Sequence, residues 1–597
     1  MLMSGLLGEH IVETLSDASR LLDRSHGIVI PHSAKLFGIP IQSKWIAQRN
    51  RVCESLEEDI STSEPWGSSV DRVRSSPFYK LDENYSCESI HLMRDILFIS
   101  DPVELTSINF TEDECGKESV SHISSQIDGH IDALATYFEM YLIDPNMIAS
   151  EQTLIPDWNT VSTHHDREQN GWDQAIFFSS QFANFVASNS ASAYEVRRGD
   201  SIEIITFKSM DNIKFSWNNL SKQPKESSLF SSSSSSSSYN PLSPPIDKIP
   251  ANLLVNESDM SLLNDVFRLH QYMKGICACI NENLKSCRKS SILELTTGPL
   301  SMVLMLHDLF CQKKSSSIFG NRDVNNVILQ SRVLASAEIS SFFRKLCTQL
   351  SIPIDEKYEI CDVLEPLIVD SVDMSKKFDL LICDVIESSG LIKQNILKHI
   401  KFALEMSSTS QNNSQRVVPS TISIVIAAIE CEDLMKQHSV QDHNTLDVDV
   451  SSCINDLGSS LLRELWLPTQ PNLKFISERI VGASLVLGSS LYESISKVHL
   501  RVEETGTFHG IAFWYHIYMN DEKVSSCLNS SENRIVIDTL MENNHYRQAV
   551  SLLDSPMMVT KGDILEIDLY IDETSGVFCD FVSTSTSTCK AELDNSV

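Results

Sequence analysis

The chain has 597 residues and a formal net charge of −32, from 80 Asp and Glu against 48 Lys and Arg. A surface this acidic repels phosphate backbones, which argues against direct nucleic-acid binding and favours basic partners, Arg-rich peptides among them. Hydrophobic content of 42% is ordinary for buried cores, the length suits about three to five domains, and no apolar run approaches the roughly 18 residues of a membrane helix.

Glu9 and Glu13 interrupt the amino-terminal apolar stretch, so neither a signal peptide nor a membrane span is expected. The 15 cysteines are scattered without a CxxC pair, and Cys277-Ala278-Cys279 is too tight for a zinc ribbon. Reduced cytosolic thiols and no metal site are the expectation.

In chain order, residues 1–27 read as a turn and one helix, and residues 28–218 as an all-β domain. Residues 219–251 read as a flexible linker. Ser231 to Ser238 is an unbroken serine run, followed by Pro241, Pro244, Pro245 and Pro250, and such a composition cannot bury apolar surface.

Residues 252–414 alternate helical and strand patterns. Leu262 to Cys279 has helical spacing, Ser291–Leu295 is a short buried strand, and Val327–Leu329 and Val333–Ala335 are strand candidates. A helix over Ser341–Leu350 and a strand over Tyr358–Leu364 follow, then the clearest strand, in Phe378–Ile386, a continuous apolar run closed by a carboxylate. Continuous strands with helices between them predict a parallel sheet covered on both faces. From Gln415 to the end at 597 the pattern changes to alternating strands, as at Ile422–Ile429, His499–Val502, Ile511–Met519 and Ile564–Ile571. That predicts an antiparallel β domain, sandwich or barrel.

The chain also repeats itself. Val196-Arg197-Arg198-Gly199-Asp200 returns as Val559-Thr560-Lys561-Gly562-Asp563, and Gly171-Trp172-Asp173-Gln174-Ala175 as His545-Tyr546-Arg547-Gln548-Ala549. Ala133–Leu142 lines up with Gly510–Met519, Ile30-Pro31 with Val418-Pro419, and Gly5-Leu6-Leu7-Gly8-Glu9 with Gly390-Leu391-Ile392-Lys393-Gln394. Unbroken order at a slowly drifting offset predicts two copies of one large module, far too long for a solenoid repeat. The first copy has its β domain but only the last helix of the α/β domain.

A parallel α/β domain feeding a β-barrel, duplicated, resembles the protein arginine methyltransferases, specifically their two-module branch. The residues that carry the likeness are Phe513-Trp514-Tyr515-His516-Ile517-Tyr518, Gln548-Ala549-Val550, the stretch Asp384 to Ile392, and Gly171-Trp172-Asp173-Gln174-Ala175. The resemblance implies a tandem module of Rossmann-like methyltransferase domain plus barrel, with the first Rossmann-like domain largely missing. It implies S-adenosyl-L-methionine as cofactor, an arginine-containing basic protein as substrate, and symmetric dimethylarginine as product. The family grips the guanidinium between two glutamates on one hairpin, and a barrel loop closes over it.

Carried over by residue, Glu9 is the candidate second glutamate of the first copy; its alternative is a helix-start acid stabilised by the helix dipole. Trp172 stands where the closing loop places its tryptophan, and a barrel-core tryptophan would look the same. In the second copy Glu294 and Gly298 stand at the cofactor turn, where Thr296 and Leu300 replace glycines, and Glu338 is the candidate ribose acid or a solvated helix-start acid. Asp384 replaces the first hairpin glutamate, and Gln394, or Lys393 depending on gaps, stands at the second. His545-Tyr546 keeps the closing loop's histidine without its tryptophan.

These lesions predict an inactive second module serving as the pseudo-dimer partner of an active first one. Little activity is expected of the chain as given, since the first cofactor fold is not within it; a coding sequence that continues ahead of Met1 is a further expectation. The competing reading is a non-enzymatic scaffold whose acidic barrels dock basic segments of splicing-related proteins. Cytosol with nuclear access is the expected location. His164-His165, beside Asp166, reads as an ordinary polar loop, and the acceptor pattern Asn256-Glu257-Ser258 as unused without a secretory route.

Overall fold

The computed structural model describes residues 6–7, 11–19, 21, 28–50, 78–79, 85–90, 93, 95–110, 117–144, 159–165, 173–178, 195–209, 213–222, 249–250, 261–262, 264–285, 290–296, 306, 327–333, 358–362, 378–387, 389–407, 416–440, 448–457, 461–470, 472–488, 494–519, 536–541, 545–572 and 576–585. Two compact units are present, residues 1–51 with 79–252 and residues 52–78 with 253–597. The serine run and the expected helix over Ser341–Leu350 lie outside the described residues.

In the first unit the strand Ser33–Gln42 is the spine of a seven-stranded sheet. It pairs antiparallel with Ala133–Tyr141 on one side and with Val103–Asn109 and Leu97–Phe98 on the other. Ala133–Tyr141 then pairs with Gln174–Phe178 and Thr160–Ser162. A second sheet sets Ser201–Lys208 between Glu118–Ser124 and Ile213–Asn219. Burial alternates along Ser201–Lys208, as period-two side chains require when one face meets a core.

That core joins Leu36, Leu134 and Phe138 of the first sheet to Ile202, Ile204 and Phe215 of the second. The two sheets are not one continuous hydrogen-bonded ladder, so the expected barrel is a half-barrel among the described residues. Serine hydroxyls stand in for the missing ladder: Ser119 Oγ donates to the Leu105 carbonyl and Ser121 Oγ to that of Glu104, each at 2.8 Å.

The helix Ile11–Ser19 also packs on this core, through Ile11, Val12 and Leu15, with Leu6 and Leu7 buried beside them. The half-barrel itself supplies the apolar surface.

The second unit contains a five-stranded sheet, parallel throughout, in the order Tyr358–Asp362, Val327–Val333, Ser290–Thr296, Leu380–Cys383, Arg416–Val418. Numbered along the chain the order is 3-2-1-4-5, the doubly wound arrangement. Two details differ from the sequence expectation. Val327–Val333 is a single strand rather than two. Arg416–Val418 still pairs parallel with Leu380–Cys383, so the antiparallel region begins at Thr421 rather than Gln415.

The helix Val266–Lys285 precedes this sheet and starts four residues later than its periodicity predicts. Asp265 Oδ1 accepts the Arg268 backbone N–H at 2.8 Å, which caps the helix end where an orphan donor would otherwise be buried.

The antiparallel part of the second unit centres on Thr421–Glu430, whose inner eight residues are all buried. This strand pairs with Gly506–Tyr518 and with Ile480–Val486, and Gly506–Tyr518 pairs with Gln548–Val559 and Val536–Asp538. A three-stranded sheet sets Ile564–Asp572 between Ser494–Arg501 and Gly576–Ser585.

The pairing scheme of the first unit recurs here strand for strand. Register shifts fall between Leu36 and Phe37 in one unit and between Ile424 and Val425 in the other. The repeated turns both need glycine: Gly199 has φ +90° and Gly562 +98°, and the following aspartate accepts the N–H of Arg197 or Thr560.

Candidate functional site

In a doubly wound sheet the ligand crevice lies beyond the carboxyl ends of the strands where their order reverses. Here that point is between Ser290–Thr296 and Leu380–Cys383, and the residue that leaves the second of these strands is Asp384. A tight hairpin follows. Lys393 N donates to the Val385 carbonyl at 2.8 Å, Glu387 N to that of Leu391 at 2.8 Å, and Ile386 bridges Ile392. This return brings Lys393 back beside Asp384.

The tip of the hairpin requires Gly390. Its φ is +85°, and an added Cβ would stand 2.6 Å from the Arg547 carbonyl oxygen. The hairpin therefore rests directly on the backbone that enters the strand Gln548–Val559.

Asp384 is surrounded by donors. Lys393 Nζ donates to its Oδ2 at 2.9 Å, and Arg268 Nη2 lies 2.6 Å from the same oxygen. Tyr272 Oη donates to Oδ1 at 3.3 Å and Tyr546 Oη at 3.5 Å. Arg268 is fully buried, with Nε donating to Tyr546 Oη at 2.7 Å. Its guanidinium carbon lies 5.2 Å from the Tyr272 ring centroid and 5.6 Å from that of Tyr546, within cation–π range.

Burial alone would raise the Asp384 carboxyl, but the two cations outweigh it and hold the group well below the usual carboxylate range. Burial would likewise lower the Arg268 guanidinium, and Asp384 overrides it upward. Burial, then the Asp384 charge, pushes the Tyr272 hydroxyl up, so it stays a donor. The carboxylate faces two fixed positive charges and has none left over for a third.

A second carboxyl ties the site to the barrel strand. Asp265 Oδ2 accepts the His545 N–H at 3.0 Å, and Ser261 Oγ meets His545 Nδ1 at 2.9 Å. Burial pushes the Asp265 carboxyl from 3.8 up to about 6, against the pull of its hydrogen bonds from Arg268 and His545.

Gln548 holds the same loop from below. It is fully buried; its Nε2 donates to the carbonyls of Thr539 and Tyr546, and its Oε1 accepts the Leu467 N–H at 3.0 Å. In the first unit Gln174 does the equivalent, donating to the Thr163 carbonyl at 2.9 Å and accepting from Ile90 N at 3.1 Å.

Of the residues singled out from sequence, Asp384 stands at the centre of this site. Lys393, not Gln394, is its partner across the hairpin, because the nine-residue return brings the lysine into register while Gln394 is exposed. Glu294 is buried, with its backbone in register with Ile382 in the neighbouring strand. Glu9, Trp172, Gly298 and Glu338 lie outside the described residues.

Sequence reasoning missed Asp265, Arg268 and Tyr272. Their spacing of three and four places them on one helix face among Leu269, Met273 and Ile276, all buried, and ionisable residues on a buried face were the available signal. His164 and His165 stack on each other and reach Tyr137 and Phe98, an aromatic string. Among the described residues no group of three His, Cys, Asp or Glu could hold a metal, and no helix is long and apolar enough to cross a membrane.

No protein family model matches the chain. It is similar to protein arginine N-methyltransferase 9 of Homo sapiens, 22% identical over 95% of this chain and 68% of that protein. The Mus musculus counterpart is 25% identical over 34% of this chain, an alignment that spans 22% of the mouse protein. Among solved structures, the PRMT1 enzyme–prozyme heterotetramer of Trypanosoma brucei with AdoHcy covers 54% of this chain and 92% of its own, at 12% identity and a TM-score of 0.40.

Proposed function

The chain belongs to the protein arginine methyltransferase family and is like protein arginine N-methyltransferase 9, and we propose that its second module is a non-catalytic partner in S-adenosylmethionine-dependent arginine methylation. The observation that carries this reading is the state of Asp384. A hairpin that grips a guanidinium must present free negative charge, and here Arg268 and Lys393 already take it. An incoming guanidinium would meet two cations before it met a carboxylate. These residues do not fit a methyl donor set opposite a substrate arginine, so no transfer step is assigned to this module.

The matched strand pairing, the paired glycine turns and the Gln174–Gln548 correspondence support descent of the two units from one duplicated module. Catalysis is then the work of the first module, with Glu9 holding the substrate guanidinium and Trp172 closing over it. Symmetric dimethylarginine is the product by likeness to the two-module branch. The second module takes the place of a dimer partner, held at high effective concentration by residues 219–251. The substrate class is a basic, arginine-containing protein, in keeping with the charge of −32, in cytosol with nuclear access.

Calorimetry of S-adenosylmethionine against the full chain tests the central claim. No binding that depends on Glu294 or Asp384 is expected. Saturable binding lost on Glu294→Gln would refute the non-catalytic reading. Methyl transfer to an arginine-rich peptide tests the role of Glu9, and transfer that survives Glu9→Gln unchanged would refute it.

The same acidity favours a second reading, a scaffold that docks basic segments without chemistry. Affinity for an arginine-rich peptide that ignores S-adenosylmethionine, in a chain with no transfer activity, would select it.

A further inference from the structure

We infer that the first unit's seven-stranded sheet docks an arginine side chain of a basic protein partner, on a run of rings that ends at Phe98. The inference rests on the reading of a basic, arginine-containing substrate. It adds a surface that holds one of the partner's guanidinium groups by stacking alone.

Leu36 and Phe138 point into the core shared with the second sheet, so Phe37 and Tyr137, their neighbours in the strands, point the other way. Rings follow one another across that face. Phe37 stacks on Tyr137 with centroids 5.1 Å apart, and Tyr137 meets His164 edge-on at 4.6 Å. His164 stacks on His165 at 4.3 Å, and His165 lies 4.9 Å from Phe98. Tyr137 is buried, Phe37 and both histidines are half-buried, and Phe98 is 40% exposed. A lone exposed ring is ordinary, but this one closes an ordered array.

The second unit contains the same position with its occupant in place. Past the register shifts, Phe37 opposes Glu104 and Tyr137, and Val425 opposes Val481 and Trp514. Further along, Ile41 opposes Phe98 and Ile429 opposes Phe475. Phe98 is therefore the equivalent of Phe475, and Pro102 that of Arg479. The Arg479 guanidinium carbon lies 4.2 Å from the Phe475 ring centroid. Proline cannot supply that cation, and among the described residues the arginine nearest a ring of the first unit, Arg49, lies over Trp45 instead.

Thr163 and Thr539 also correspond, each Oγ1 accepting a spine-neighbour N–H at 2.9 Å, from Phe138 and Tyr515. His164 and His165 thus replace Leu540 and Met541. The first unit has gained flat rings where the second has aliphatic side chains, and it has lost the arginine that would cover them. The buried clusters that Phe475 joins draw only on residues 425–552, so its surroundings come from the antiparallel part and not from the parallel sheet.

A guanidinium lies flat on a ring while its N–H groups bond elsewhere, which a compact ammonium cannot do. At a chain charge of −32 a second acidic copy is repelled and a basic segment is attracted.

Titration calorimetry of the full chain tests this, with an arginine-rich peptide and the same peptide carrying Lys for Arg. The native chain should bind the arginine peptide about three- to ten-fold more tightly. Phe98→Ala should lose about that factor for the arginine peptide and leave the lysine peptide within about two-fold. Pro102→Arg keeps every ring and supplies a guanidinium from the chain itself, so it should weaken the arginine peptide as much, and Pro102→Ala should not. Phe475→Ala should leave binding unchanged, since Arg479 already sits on that ring. Full binding in Phe98→Ala or in Pro102→Arg would overturn the inference and leave the basic-substrate reading standing. An arginine peptide that does not bind the native chain at all would overturn both. Should Phe98→Ala fail to fold, Phe98→Leu, which keeps the bulk without the π face, replaces it.

Discussion

Replacing Asp265 by Asn should change how the stability of the second unit depends on pH. The carboxyl is 1% exposed and titrates at about 6 instead of 3.8. The folded state therefore binds this proton more tightly than the unfolded state. By linkage, the contribution of Asp265 to stability is greatest below pH 4, falls as pH rises from about 4 to about 6, and is flat above. The shift of roughly two pH units, at about 1.4 kcal/mol each, amounts to about 3 kcal/mol across that window. For a cooperative unit of 150–250 residues this is about 6–12 °C in melting temperature.

Asn caps helices as well as Asp does, so the bond to Arg268 N survives, while the His545 N–H loses its acceptor to the amide NH2, a cost that does not vary with pH. Asp384, Lys393, Arg268, Tyr272, Tyr546 and His545 face the site in both proteins; of these Arg268 pulls the Asp265 carboxyl down and Asp384 pushes it up. Scanning calorimetry of native chain and Asp265→Asn at pH 4.5, 5.5, 6.5 and 7.5 would show the variant gaining on the native chain as pH rises, with the gain complete by about pH 7. A difference that stays constant with pH would refute the burial argument.

Three other outcomes follow from the packing. Gly390→Ala should cost about 1–3 kcal/mol in denaturant unfolding, since a Cβ at φ +85° meets the Arg547 carbonyl, and a cost under about 0.5 kcal/mol would show that the hairpin tip is free to move. Gln548→Leu should cost about 2–4 kcal/mol by stranding Leu467 N and the Thr539 and Tyr546 carbonyls, and Gln174→Leu should do the same in the first unit; a change confined to one unit would break the structural equivalence. Lys35→Ala, which removes an exposed pair with Glu104 at 2.8 Å, should leave the melting temperature within about 1–2 °C, and a larger fall would mean the pair is shielded from solvent.

Local chemistry in the sequence determined much of this molecule. Period-two alternation announced strands such as Ile564–Asp572, and continuous apolar runs announced the parallel strand ending at Asp384. The repeated Gly-Asp turns were visible because one backbone geometry needs one residue type wherever it occurs. The strand pattern showed Asp384 only as a carboxylate closing an apolar run; its place in the hairpin came from the family resemblance.

What only the tertiary structure decided was what that acid touches. Arg268 and Tyr546 are far from Asp384 in the chain, and pairing between distant residues leaves no periodic trace in a single sequence. The choice between Lys393 and Gln394 needed the hairpin's hydrogen-bond register, since one residue of slip exchanges inward and outward faces. Closure of the half-barrel was equally invisible, because it depends on whether two sheets meet through backbone ladders or, as here, through the hydroxyls of Ser119 and Ser121.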